Sequence, residues 1–283
     1  MANYSNLQNF INHNNVQKPY MSLLKKAMAS LSIGATKVDA VLKQPELVPG
    51  ERVDFNIYVK GGSVEQQIDN IYLDICCQYF EEIERNKGNG DESVKEKVKQ
   101  VYSLSEWSLP ESFIIAAGEE RVFKDSFTLP WNTPITLGEG KVWLETGLDI
   151  QFAIDPSDTD LLVVRPDPLL RSLFEALMGS GLQLRQAECE AAKGFELPFV
   201  QEFEFVPVSG KFLGRWRELE VVAWRDEKRL KLWFEVDRQQ RGLSGMLSSL
   251  LGRGELKRHL EISADALPAD LGQQVIAFLD QTT

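Results

Sequence analysis

The sequence predicts a mainly β chain built as two tandem β-sandwich domains with a few short helices. Three observations predict it. Apolar residues recur at every second position in many short runs, the period of a strand with one buried face. Turn residues separate these runs at intervals typical of sandwiches. The length, 283 residues with 43% hydrophobic and 26% charged, suits two cores of roughly 100–150 residues better than one.

Residues 1–20 are polar and rich in asparagine, and read as a disordered leader. A short helix is expected from Met21 to Leu31, with Leu23, Leu24, Ala27, Met28 and Leu31 on one face and Gly34 as its stop. Strands follow. Val38 to Leu42 is extended, Pro49-Gly50 is a turn, and Val53, Phe55, Ile57 and Val59 alternate with polar residues. Ile71, Leu73, Ile75, Cys77 and Tyr79 share one face of the next strand. The charged stretch from Glu82 to Lys99, with Lys87-Gly-Asn-Gly90 inside it, is expected to be a long mobile connection. Val101 to Leu109, Phe113 to Ile115, Val122 to Leu129, Val142 to Phe152 and Leu161 to Val164 complete about eight strands.

A boundary is expected near Arg165-Pro166, giving an N-terminal domain over 21–165 and a C-terminal one over 166–283. Asp167-Pro168 is a helix start, with Asp as cap and Pro at the first position, and Gly179 and Gly181 end that helix. Strands are expected over Leu182–Cys189, Phe199–Phe205, Leu219–Ala223, Leu230–Val236 and Leu260–Ile262, and a closing helix over Leu271–Leu279. Gly242–Gly254, with Met246, Leu247, Leu250 and Leu251, has no charge between Arg241 and Arg253. It reads as a helical cover over the second core, the commoner use of an apolar stripe, or as a partner-binding surface.

Four stretches together resemble the stage-zero sporulation-control protein M family (the SpoOM family) of bacteria. They are Gly34 to Leu42 with Glu46 to Glu51; Gly61 to Leu73; Val142 to Ile150 with Ile154 to Asp158 and Val164 to Pro166; and Leu197 to Phe205. The resemblance covers nearly all of residues 21–262. It implies an arrestin-like fold for both domains, a regulatory role in entry into sporulation or a related control of cell state, and no catalytic residues.

The chemistry agrees with that expectation. Only two histidines occur, His13 in the leader and His259 in a basic run, so triad and zinc mechanisms lack their parts. There is no phosphate-binding loop of the Lys-Ser/Thr type. No catalytic, cofactor-binding or metal residue is assigned, and the protein is expected not to be an enzyme. Asp155-Pro-Ser-Asp158-Thr-Asp160 offers three carboxylates, part of what calcium requires, but lacks a following bidentate glutamate and reads as a turn. The net charge of −11 argues against nucleic acid. Three cysteines without metal spacing, no apolar run of membrane length and no signal peptide point to the cytoplasm.

The expected partners are regulatory or cytoskeletal proteins. Candidate contacts are Leu23, Leu24 and Met28 on the first helix, Phe203 and Phe205 on a sheet edge, whose aromatics core packing explains equally well, and Met246 and Leu247. Two other readings remain: carbohydrate or small-molecule binding, with Trp131, Trp143 and Trp216 as stacking platforms, and membrane attachment through the first helix and its Lys25 and Lys26.

Overall fold

The computed structural model describes residues 34–86, 93–109, 112–151, 155–237 and 258–281. Within them the protein is mostly β. Eight strands form the first half: β1 (Lys37–Leu42), β2 (Arg52–Lys60), β3 (Gln66–Asn86), β4 (Ser93–Leu109), β5 (Phe113–Ile115), β6 (Glu120–Thr128), β7 (Val142–Ile150) and β8 (Ser157–Leu161). A helix α1 (Pro168–Gly179) opens the second half, followed by β9 (Leu182–Ala191), β10 (Phe199–Pro207), β11 (Glu218–Arg225), β12 (Arg229–Asp237), β13 (His259–Ser263) and α2 (Pro268–Gln281).

The first half is a sandwich. A sheet ordered β1-β2-β6 faces strands of a second sheet. Strict alternation in β2 sends Val53, Phe55, Ile57 and Val59 inward, all at most 1% exposed, and Phe55 meets Trp107 of β4 edge to face at 5.4 Å. The turn entering β2 needs its glycine. Gly50 has φ of 84°, and a Cβ there would stand 2.3 Å from the Trp131 ring.

The second sheet runs β13-β12-β11-β10-β9-β3-β7-β8 through both halves, with β4 and β5 also paired to β3. Its two parts join at one parallel pairing, Phe80 with Glu190. In the second half the described residues show one stretch of sheet, β9 to β13, with α1 and α2 packed against one face. Phe174 of α1 meets Phe203 at 4.9 Å, and Phe278 of α2 meets Phe234 at 5.7 Å. A single buried cluster spans both halves, from Val38 to Leu279.

Glu82–Lys99 differs from expectation. Its described parts, residues 82–86 and 93–99, are paired strand, not loop: Glu82 pairs with Lys97 and Glu84 with Lys95 across β3 and β4. Ion pairs Lys95–Glu82 at 3.1 Å and Arg85–Glu96 at 2.9 Å line this ladder. Opposite charges facing across strands replace the apolar alternation that marks a strand in sequence. The last strand of the first half also falls earlier than expected. Leu162 and Val164 lie beyond it, buried, and Val164 bridges to Leu47 in parallel.

Candidate functional site

The junction of the halves is a clamped polar seam. Asp167 caps α1, its Oδ1 accepting from the Leu170 amide at 2.7 Å, as its position before Pro168 dictates. Its Oδ2 accepts from Arg225 Nε at 2.8 Å, and Asp167 is 5% exposed. Arg225 arrives on the end of β11. Its amide donates to Asn132 Oδ1 at 2.8 Å, and its guanidinium lies 4.6 Å from the Trp131 ring centroid. Nearby, Gln201 of β10 grips Ile135 twice, accepting from its amide at 2.9 Å and donating to its carbonyl at 2.8 Å. A small cavity of about 60 Å³ opens between these groups, lined by Pro49, Trp131, Asp167, Phe195, Leu197 and Arg225 among others.

The outer face of the second-half sheet is acidic. Alternation in β9 to β12 sends Phe203, Phe205, Val221 and Phe234 toward the helices and leaves glutamates on the other side. Registers place Glu202 beside Glu188, Glu204 beside Glu220, and Glu220 beside Glu235. Burial, then the charges of Glu220, Glu190, Glu188 and Glu235, push the Glu202 carboxyl up to about 8. Its Oε2 is buried without a hydrogen-bond partner. Lys97, reaching across from β4, binds Glu188 at 2.6 Å and Glu190 at 2.9 Å. Arg185 pairs with Glu204 and Glu218.

A second acidic group sits on the rim of the first sandwich. Asp39 of β1 and Asp158 and Asp160 of β8 each offer a carboxylate oxygen, all within 4.8 Å of one another and half-buried. Burial and then Asp158 raise Asp39; burial, Asp158 and Asp39 push Asp160 up to about 7. Asp155, expected in the same group, instead turns to the end of β7, its Oδ1 accepting from the Ile150 amide at 2.9 Å.

Of the candidate contacts, Phe203 and Phe205 are 1% and 0% exposed, and their strand pairs with β9 and β11 on its two sides. They are core residues on an interior strand, which corrects the expectation of an edge; the aromatics were needed to meet α1. Leu23, Leu24, Met28, Met246 and Leu247 lie outside the described residues, as do the two helices expected there. Trp216 is 5% exposed and stacked on Phe212 at 3.9 Å, and the Trp143 indole donates to Glu145 at 2.7 Å. Trp131 is half-buried at the seam. Cys76, Cys77 and Cys189 are buried free thiols. Arg225, Glu202 and Asp39 escaped the sequence reading, since each matters through a residue distant in sequence. Asp158-Thr-Asp160 carried a usable signal: residues two apart on a strand share a face.

These features define a mainly β protein whose two halves share one long sheet and meet at a clamped seam. The family model described as SpoOM protein matches residues 24–240, and the chain belongs to that family. It is 40% identical over 265 residues to the sporulation-control protein Spo0M of Bacillus subtilis, covering 92% of this chain and 99% of that protein. The crystal structure of Spo0M from Bacillus subtilis superimposes with a TM-score of 0.77 at 38% identity, over 89% of this chain and 100% of that one. No helix among the described residues is long and apolar enough to cross a membrane.

Proposed function

We propose that the chain is a non-enzymatic regulatory protein of the cytoplasm, acting in control of sporulation or a related cell state by binding other proteins. The observation that carries this reading is the match to a sporulation-control protein along almost the whole of both chains. The site chemistry supports it: the polar groups of the seam are spent on each other, as in a structural joint, with no nucleophile and base brought together there. Sheet edges provide a means of binding. Strands β6 and β13 each pair on one side among the described residues, and such edges can take up a strand from a partner.

Expression of this chain in Bacillus subtilis cells lacking their own Spo0M tests the regulatory part. Restored counts of heat-resistant spores are expected, and no change from the empty-vector strain would argue against it. In-cell crosslinking across growth stages tests the binding part. Specific partners above a crosslinked control protein are expected, and none at any stage would sink the idea.

A further inference from the structure

The rim cluster is built for more than an exposed acidic patch. Asp158 and Asp160 stand on β8 directly across from Thr146 and Leu144 of β7. Both of those residues are 1% exposed. Residues directly opposite in an antiparallel pair point to the same face, so both aspartates are turned toward the interior of the sandwich. Asp39 comes from the edge of the opposing sheet to meet them.

Inward charges on an edge strand discourage unwanted strand pairing. That reading accounts for one aspartate on β8. It does not account for a third carboxylate brought to the same point from the other sheet, where like charges repel. Nor does it account for Thr146, whose Oγ1 is buried and has no hydrogen-bond partner. A buried hydroxyl left unsatisfied costs about 1–3 kcal/mol. This one lies beside Asp158 on the same face, so a ligand shared with the carboxylates would satisfy it.

Oxygens that share one calcium ion lie about 2.3–2.6 Å from it, so carboxylate oxygens within 4.8 Å of each other can share a single ion. The donors are all oxygen, which selects a hard cation over zinc or copper. Half-burial leaves one side open for the waters that complete six to eight ligands. We propose that Asp39, Asp158 and Asp160, with Thr146 as a further oxygen, form a calcium site that fastens β1 to β8 across the rim. The site is independent of the regulatory reading.

The test uses the full chain, stripped with EDTA and titrated with calcium chloride by calorimetry and by thermal unfolding. One ion per chain is expected, with Kd between about 10 µM and 1 mM, the range for sites of modest charge and rigidity. The Tm should rise with calcium. Asp158→Asn and Asp160→Asn should each weaken binding by at least about tenfold and remove the Tm rise, and Thr146→Val by about two- to fivefold. The Asn variants keep the side-chain shape and relieve repulsion, so they are expected to fold. No heat and no Tm shift up to about 10 mM calcium, well above the expected range, would overturn the proposal. So would a calcium response that survives in the Asp39→Asn/Asp158→Asn/Asp160→Asn chain. A magnesium response equal to the calcium one would overturn the assignment to calcium.

Discussion

The seam and the acidic face treat buried carboxylates in opposite ways. At the seam, Asp167 is met by a guanidinium at 2.8 Å and a helix amide at 2.7 Å, and the guanidinium is itself held by the Asp226 and Arg229 carbonyls and the Trp131 ring. On the acidic face, Glu202 is surrounded by other glutamates and one of its oxygens has no partner. The first arrangement ties the start of α1 to the end of β11, where Arg225 also meets Asn132 and Trp131 of the first half. The second stores a charge cost that depends on protonation. Burial is therefore not what distinguishes a structural carboxylate from a responsive one; the charge brought to meet it is.

Breaking the seam should have the largest effect. Arg225→Met leaves Asp167 buried and uncompensated, since the Asp167 side chain is 7% exposed and that of Arg225 14%. Loss of one partner of a buried pair costs about 3–5 kcal/mol, which urea unfolding would register as a lower midpoint. Adding Asp167→Asn should recover much of the loss, because Asn still caps α1 and carries no charge. A double variant as unstable as Arg225→Met alone would show that the arginine acts through Trp131 packing instead.

Next comes the acidic face, through pH. The folded pKa of Glu202, about 8, lies above the ordinary glutamate value, so the folded chain binds more protons than the unfolded chain between roughly pH 4.5 and 8. Stability is then lost as pH rises through that window, by up to about 5 kcal/mol from this group. Glu202→Gln should flatten that slope and leave the variant more stable than the parent at pH 8, measured by denaturant midpoints across the range. A parent and variant with parallel pH profiles would mean that the carboxylate is ionised and compensated in the folded state.

A smaller test returns to the seam. Gln201→Leu removes the acceptor for the Ile135 amide, while the Ile135 carbonyl keeps the Leu137 amide at 2.9 Å. One buried amide left unpaired costs about 1–3 kcal/mol. A loss below that range, read from the same unfolding curves, would show that water enters the seam and replaces the side chain.

Much of the fold was legible in the sequence because local patterns specify it. Alternation gave β2 and β12, and Asp167-Pro168 gave the capped start of α1. The extension of β3 and β4 beyond the core was not legible as strand. Its alternating signal is charge against charge across two chains of residues, visible only once Glu82 is known to face Lys97. The sites were legible only in part. Asp158 and Asp160 were visible as a cluster, but their third member, Asp39, is over a hundred residues away. Phe203 and Phe205 read as an available aromatic strand because no local pattern reveals which strands have two neighbours.

The smallest expected effect lies on the acidic face, at its link to the first half. Lys97 is the cation that the acidic face does receive, and it comes from β4 of the first half. Burial lowers its pKa, but bonds to Glu188 and Glu190 outweigh that and leave it raised. With 40% of the side chain exposed, solvent screening limits the pair's worth to about 0.2–1 kcal/mol. Lys97→Met keeps the contact with the Phe80 ring, 4.9 Å from the ammonium, and removes only the charge. Stability at pH 7 should fall by that small amount. The larger consequence is on the neighbours: without Lys97, Glu190, already raised by burial and by Glu188, should rise further. The pH-dependent loss of stability should therefore steepen in Lys97→Met, where it flattens in Glu202→Gln. Identical slopes in Lys97→Met and the parent would show that the glutamates of this face titrate independently, and that the acidic face is a set of separate charges.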